Sequence, residues 1–294
     1  MNSSGGAPAH AGNLLNDAYT ATNQSYERYE NHPLPRGWKD VTPSPNTETG
    51  KLFATAEASE LVAPNGQHYV AFRGTQTASD VVEDINQGTG AGAAETNPKY
   101  NAAAKIGEAY RGRNVVFTGH SLGGGEAQLA AAVASERPTG DPLPRPGVCV
   151  TFNSAYPDPN TLREHGVNPS DVKTHLVEVV NTHDPLNRGI YGGKLTAMDG
   201  EAIKDREGKN DVVIVATGEG GYAGQGHKIG SIAGPDGNLT NNLYDDRGLH
   251  VNKADFDALT PGRDALANKQ DVVTTLKMAE TKELQVAKAG HDGR

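Results

Sequence analysis

Three observations predict an α/β fold: a mainly parallel central sheet with helices on both faces, an N-terminal hairpin and a C-terminal helical tail. Strand-like runs alternate with helical segments along most of the chain. One such strand, Asn114-Val115-Val116-Phe117, runs into the tight Gly-x-Ser-x-Gly turn Gly119-His120-Ser121-Leu122-Gly123, and an Ala-rich helical segment follows. Near the N-terminus, Asn65-Gly66 separates two apolar runs, which is the turn chemistry of a hairpin.

The elements follow in order. Leu14, Leu15, Ala18, Tyr19, Tyr26 and Tyr29 lie at roughly helical spacing, so residues 13–30 are expected as a first helix on the outside of the sheet. Residues 31–48 hold four prolines and the single Trp38 and read as an extended connector. Strands are expected over 51–63 and 68–74. A helix started by Thr77 or Ser79 follows to about residue 87, then a low-complexity loop over 88–97. Ala103, Ile106 and Tyr110 mark a helix over 98–110. Further strands are expected over 148–154, 175–181 and 211–217, and a Gly-rich loop surrounds Gly226-His227-Lys228. The segment 251–259 has helical character, and residues 265–288 read as a surface helix. The organisation expected is an N-terminal helix and connector (1–48), one main domain (49–260) and a helical tail (261–294).

Composition narrows the partners. A net charge of −9 without a basic block argues against nucleic-acid binding, which needs clustered Lys and Arg. No stretch approaches the roughly 20 apolar residues of a membrane span. One cysteine, Cys149, excludes an internal disulfide framework and a cysteine-based metal cluster; its place between Val148 and Val150 predicts burial. Residues 1–12 lack the charged and apolar regions of a secretory signal, so the expected location is cytoplasmic, or outside after export by a route that reads no such signal.

The turn at Ser121 carries the chemistry. It lifts a serine out of the sheet, and the positions two before and two after it, Gly119 and Gly123, must lack bulk. The helix behind it aims its first N–H groups and positive dipole end at the same spot. A serine hydroxyl needs a base, and the base needs an orienting acid. In this architecture the chain order is Ser, acid, His. Asp184 follows the 175–181 strand, and Pro185 stops a helix there. Two downstream bases remain open: His227, in the loop after the 211–217 strand, and His250, before the 251–259 segment. Topology favours His227. His183 adjoins Asp184 and is badly placed to be oriented by it, and His120 is expected to pack beside the turn. No metal and no organic cofactor are required.

Phe72-Arg73-Gly74-Thr75 with Asp80 and Asp84 behind it, followed by Thr118-Gly119-His120-Ser121-Leu122-Gly123-Gly124, resembles the class 3 lipase family of α/β-hydrolases. The resemblance covers about residues 50–230. It implies an oxyanion hole with Thr75 as one donor and the Leu122 N–H as the other. It also implies hydrolysis of a lipid carboxylic ester, by lipase or phospholipase A chemistry, with transient contact to a lipid surface. Departures exist: Val81 stands where class 3 lipases carry an aromatic, and region 76–113 is Gly/Ala-rich where their lid is amphipathic. Residues 34–38 are similar to the start of some bacterial lipase-like proteins, secreted antibacterial effectors among them; a delivered toxin would require a neutralising immunity partner. Arg73 is expected to pair with Asp80 or Asp84. Competing readings are a soluble short-chain esterase or acyltransferase, and a non-catalytic binding module on the same fold.

Overall fold

Side chains on a strand alternate between faces, so a strand buried on both sides needs apolar groups at successive positions. The central strands meet this demand. Val115–His120, Val148–Phe152 and the last six residues of His175–Asn181 are all buried. The computed structural model describes residues 13–27, 32–74, 98–136, 147–157, 159–169, 172, 174–184, 211–216, 225–245 and 249–259.

Among these residues the order is α1 (Leu14–Glu27), β1 (Lys39–Asp40), α2 (Glu48–Thr55), β2 (Ala58–Val62), β3 (His68–Phe72), α3 (Pro98–Ala109), β4 (Val115–His120), α4 (Leu122–Ser135), β5 (Val148–Phe152), α5 (Pro159–Glu164), β6 (His175–Asn181), β7 (Asp211–Ala216) and β8 (Leu243–Tyr244). Short 3₁₀ turns cover Gln225–His227, Ile229–Ile232 and Lys253–Leu259. The described strands form one sheet in sequence order from β1 to β8. Strands β3 to β7 run parallel, and the pairs β1/β2, β2/β3 and β7/β8 are antiparallel.

The pleat sorts the core into two layers. Tyr69, Val116, Val150, Phe152 and Val177 face α1, where Leu14, Leu15, Ala18 and Tyr19 are buried against them. Val70, Phe72, Phe117 and Cys149 face the opposite way, toward Phe53 of α2, Ala103 and Ile106 of α3, and Ala127 and Ala130 of α4. Each fully buried leucine or isoleucine contributes roughly 1.5–3 kcal/mol. Helices therefore cover both faces, and the α/β-hydrolase-like arrangement is the fold of this chain. Among the described residues no helix is long and apolar enough to cross a membrane.

Two segments differ from expectation. Residues 51–55, expected as strand, belong to α2, and the strand begins at Ala58. Thr47 caps this helix: its side chain accepts the Gly50 N–H at 3.0 Å, which satisfies one of the donors that every helix start leaves open. Lys39–Asp40 in the Pro-rich connector adds β1 at the sheet edge, pairing with Leu61 and Val62. The expected elements at 78–87, 88–97 and 265–288 lie outside the described residues.

Candidate active site

β4 ends at His120 and α4 starts at Leu122, so Ser121 makes the whole reversal alone. It adopts φ 58° and ψ −129°, a conformation that costs a non-glycine residue on the order of 1–3 kcal/mol. Close packing holds it there. A Cβ on Gly119 would lie 2.2 Å from the Gly123 carbonyl oxygen, and one on Gly123 would lie 2.3 Å from that of Phe72. The Ser121 N–H donates to the Phe152 carbonyl at 3.2 Å, and the Ser121 carbonyl accepts from Ala155 N–H at 2.9 Å.

The geometry brings three of the expected residues together. His227 Nε2 lies 2.8 Å from Ser121 Oγ, and His227 Nδ1 lies 2.9 Å from Asp184 Oδ1. A carboxylate only accepts, so Nδ1 carries the proton and Nε2 presents its lone pair to the serine hydroxyl. Ser121 and Asp184 are fully buried and His227 nearly so. Asp184 stands just past β6, and His227 ends the 3₁₀ turn after β7. His250 is not in this group; it is exposed, bonds the Asn241 carbonyl at 2.9 Å and packs edge-on against Tyr244. His183 is exposed as well, its Nδ1 3.1 Å from Thr182 Oγ1.

Leu122 opens α4 and is buried beside the serine, and its N–H belongs to the first turn, where helix donors have no intrahelical partner. Thr75 lies outside the described residues, as do Asp80 and Asp84. Arg73 pairs with Glu57, at 2.8 Å from Nη2 and 3.2 Å from Nε, and Lys99 reaches the same carboxylate at 3.0 Å. Arg73 therefore has a partner at the end of α2 that the motif did not point to.

Polar residues that motif reading passed over hold the turns carrying Asp184 and His227. Asn153, with φ 45°, accepts the Asn181 N–H at 2.7 Å and donates to the Gly226 carbonyl at 3.4 Å. Asn181 donates to Ser231 Oγ at 2.7 Å, and Ser231 donates to the same Gly226 carbonyl at 2.9 Å. A Cβ on Gly226 would lie 2.3 Å from the His183 carbonyl oxygen, so the two turns touch at backbone distance. Each of these residues sits at the end of a strand, just past one or in a later turn, and no local pattern marks them.

Two carboxyls lie buried nearby. Glu178 on β6 accepts from Ser154 N–H and Ser154 Oγ, both at 2.8 Å, and from the Thr151 hydroxyl. Burial outweighs these donors and lifts its pKa to about 7, with Asp184 adding to the rise. Glu126 on α4 has neither oxygen bonded, and burial holds it protonated well above the usual carboxylate range. No group of three or more His, Cys, Asp and Glu suited to a metal ion occurs among the described residues. A cavity of about 480 Å³ beside α1, bordered by Asn16, Asn23, Trp38 and Asn65, contains none of Ser121, Asp184 or His227.

Against known proteins, residues 16–187 match the family model of the Tle-like phospholipase domain. A stretch of 107 residues is 37% identical to the extracellular phospholipase A1 of Serratia liquefaciens; it covers 36% of this chain and 30% of that relative's length. The motif resemblance drawn above was to class 3 lipases; the comparisons support the lipase and phospholipase reading at the level of a phospholipase family, not class 3 in particular. Matched over more than half its length, from α1 through the elbow to the turn carrying Asp184, the chain belongs to the Tle-like phospholipase domain family.

Proposed function

We propose that the chain is a serine hydrolase that cleaves a carboxylic ester of a phospholipid through an acyl-enzyme. Ser121 attacks the acyl carbon while His227 takes its proton. His227 then returns that proton to the leaving alcohol, and water, activated by the same imidazole, releases the fatty acid. Asp184 holds the His227 tautomer and stabilises the imidazolium. The N–H groups of Leu122 and Thr75 receive the oxyanion, each contributing on the order of 3–4 kcal/mol to the transition state. The observation that carries the reading is the pair of short contacts, 2.8 Å from Ser121 Oγ to His227 Nε2 and 2.9 Å from His227 Nδ1 to Asp184 Oδ1. The phospholipase relatives favour a lipid ester as substrate over a short soluble one.

The test is fatty-acid release from phosphatidylcholine and phosphatidylethanolamine vesicles, read by mass spectrometry, beside short-chain nitrophenyl esters. Ser121→Ala and His227→Ala are expected to lower kcat by about 10⁶-fold and Asp184→Asn by about 10⁴-fold. His250→Ala is expected to stay near wild type. Loss of activity in His250→Ala with retention in His227→Ala would reassign the base. A wild-type chain that releases nothing, and whose Ser121 resists a fluorophosphonate, would leave a non-catalytic binding module on the same fold.

A further inference from the structure

The hydrogen bonds beside the elbow run on past the three residues just described. Tyr26 stands in the last turn of α1, and its hydroxyl accepts the Gly74 N–H at 3.0 Å. The same hydroxyl lies 2.9 Å from His120 Nδ1, and His120 Nε2 bonds the backbone carbonyl of His227. The donor roles follow from the carbonyl end. A carbonyl only accepts, so Nε2 carries a proton. Burial and the neighbouring His227 keep the ring neutral, which leaves Nδ1 bare to accept the Tyr26 proton while the tyrosine oxygen accepts the Gly74 N–H. The line is fully satisfied in one direction, from Gly74 through Tyr26 and His120 to His227, with His120 neutral.

The fold builds this line by matching two periods. Thr22 and Tyr26 are four residues apart on one face of α1, a rise of about 6 Å. Thr118 and His120 are two apart on one face of β4, about 6.6 Å. Thr22 Oγ1 meets Thr118 Oγ1 at 2.7 Å, and Thr118 donates on to the Val150 carbonyl at 2.7 Å. The two rungs clamp α1 along the nucleophile strand. Space is tight here: a Cβ on Gly74 would lie 2.6 Å from the Tyr26 hydroxyl and 2.4 Å from the His120 carbonyl oxygen.

We propose that Tyr26 and His120 are positioning residues for the hydrolytic step, locking His120 as the neutral Nε2–H tautomer and fixing the His227 main chain against the elbow. The inference rests on the triad reading above. Its consequence is specific. The two imidazole rings lie 4.9 Å apart, centroid to centroid. When His227 takes the serine proton it becomes a cation, and a protonated His120 beside it would oppose that step. Burial and the proximity of His227 keep the His120 pKa down at about 3. The other titratable and charged groups along this line are Asp184, which bonds His227 Nδ1 at 2.9 Å, and Arg73, Glu57 and the protonated Glu126, which act on Tyr26. Tyr26 also takes up the Gly74 N–H, which fixes the Arg73–Gly74 peptide.

Tyr26→Phe removes one oxygen and tests the proposal. Expected are a fall in kcat by roughly 10- to 100-fold, the effect of a displacement on the order of 1 Å, and a KM within about twofold of wild type. The acidic limb of the kcat profile is expected to move to higher pH, as His120 becomes easier to protonate. His120→Gln, which keeps an N–H where Nε2 stood, is expected to retain more activity than His120→Ala. Imidazole ¹⁵N spectra, taken on Ser121→Ala protein, are expected to show His120 protonated at Nε2 alone between pH 5 and 8, and to change on adding Tyr26→Phe. A Tyr26→Phe enzyme with wild-type kcat and pH profile and an unchanged His120 spectrum, while Ser121→Ala is inactive, overturns the proposal. Full activity in Ser121→Ala overturns the triad reading instead, while the spectra still report on the tautomer.

Discussion

Ser121 and Glu178 show how single residues here carry strain and charge. Ser121 holds a positive φ because glycines 119 and 123 admit backbone at distances that no Cβ tolerates. Glu178 is a buried acid whose proton leaves only at about pH 7, whereas the exposed carboxyl of an unfolded chain ionises near 4.5. Between those values the unfolded state binds fewer protons than the folded one, so stability falls as pH rises from about 4.5 to 7 and levels off above. The full span is on the order of 3 kcal/mol at about 1.4 kcal/mol per pKa unit. Glu178→Gln has no proton to lose and is expected to flatten that slope; urea unfolding at pH 5, 6, 7 and 8 reads it. An unchanged slope would show that another group carries the pH dependence. Ser121, Asp184 and His227 were each visible in the sequence, because motif, strand end and Gly-rich loop are local signals. Asn153, Asn181, Ser231 and Tyr26 were not, since each has a partner far away in the chain.

At the scale of elements, α3 and α4 cross on small residues. A Cβ on Gly107 of α3 would lie 2.3 Å from the Ala130 carbonyl oxygen of α4. Gly107→Ala therefore sets two effects against each other. Alanine favours the helix by about 1 kcal/mol, while overpacking a rigid backbone contact costs about 1–3 kcal/mol. The contact is expected to win, and the midpoint of thermal unfolding to fall by several degrees; a rise would mean that the helices separate without cost. The helix α2 belongs to the same scale. Leu52 and Phe53 read as strand residues by apolar character alone, and the cap at Thr47 decides for a helix. Phe53 is then buried against Tyr110 of the segment after α3, ring centroids 6.0 Å apart.

Across the whole molecule, α1 joins distant parts of the chain. Its first N–H donates to Asp257 at 2.8 Å, and Lys253 Nζ reaches Asn16 at 3.0 Å, so the 3₁₀ turn Lys253–Leu259 closes over the start of the helix. An acid at that position also complements the helix dipole. Deleting residues 1–27 uncovers the face carrying Tyr69, Val116 and Val150, and is expected to give an insoluble or molten chain. Near-ultraviolet circular dichroism and solubility read the outcome, and a well-folded short form would show that α1 is dispensable.

What the sequence determined by itself are features whose cause is local: the strand-to-helix turn at Ser121, the hairpin at Asn65-Gly66, the apolar strands and the Ser, Asp, His order. Periodicity and turn chemistry act over a few residues, so they can be read without a structure. The tertiary structure decided which histidine stands beside Ser121. It also set Glu57 against Arg73 and drew Tyr26 and His120 into one hydrogen-bonded line. Those choices depend on contacts between residues 16 to 107 positions apart, where sheet register and helix placement, rather than any nearby residue, fix which polar groups meet.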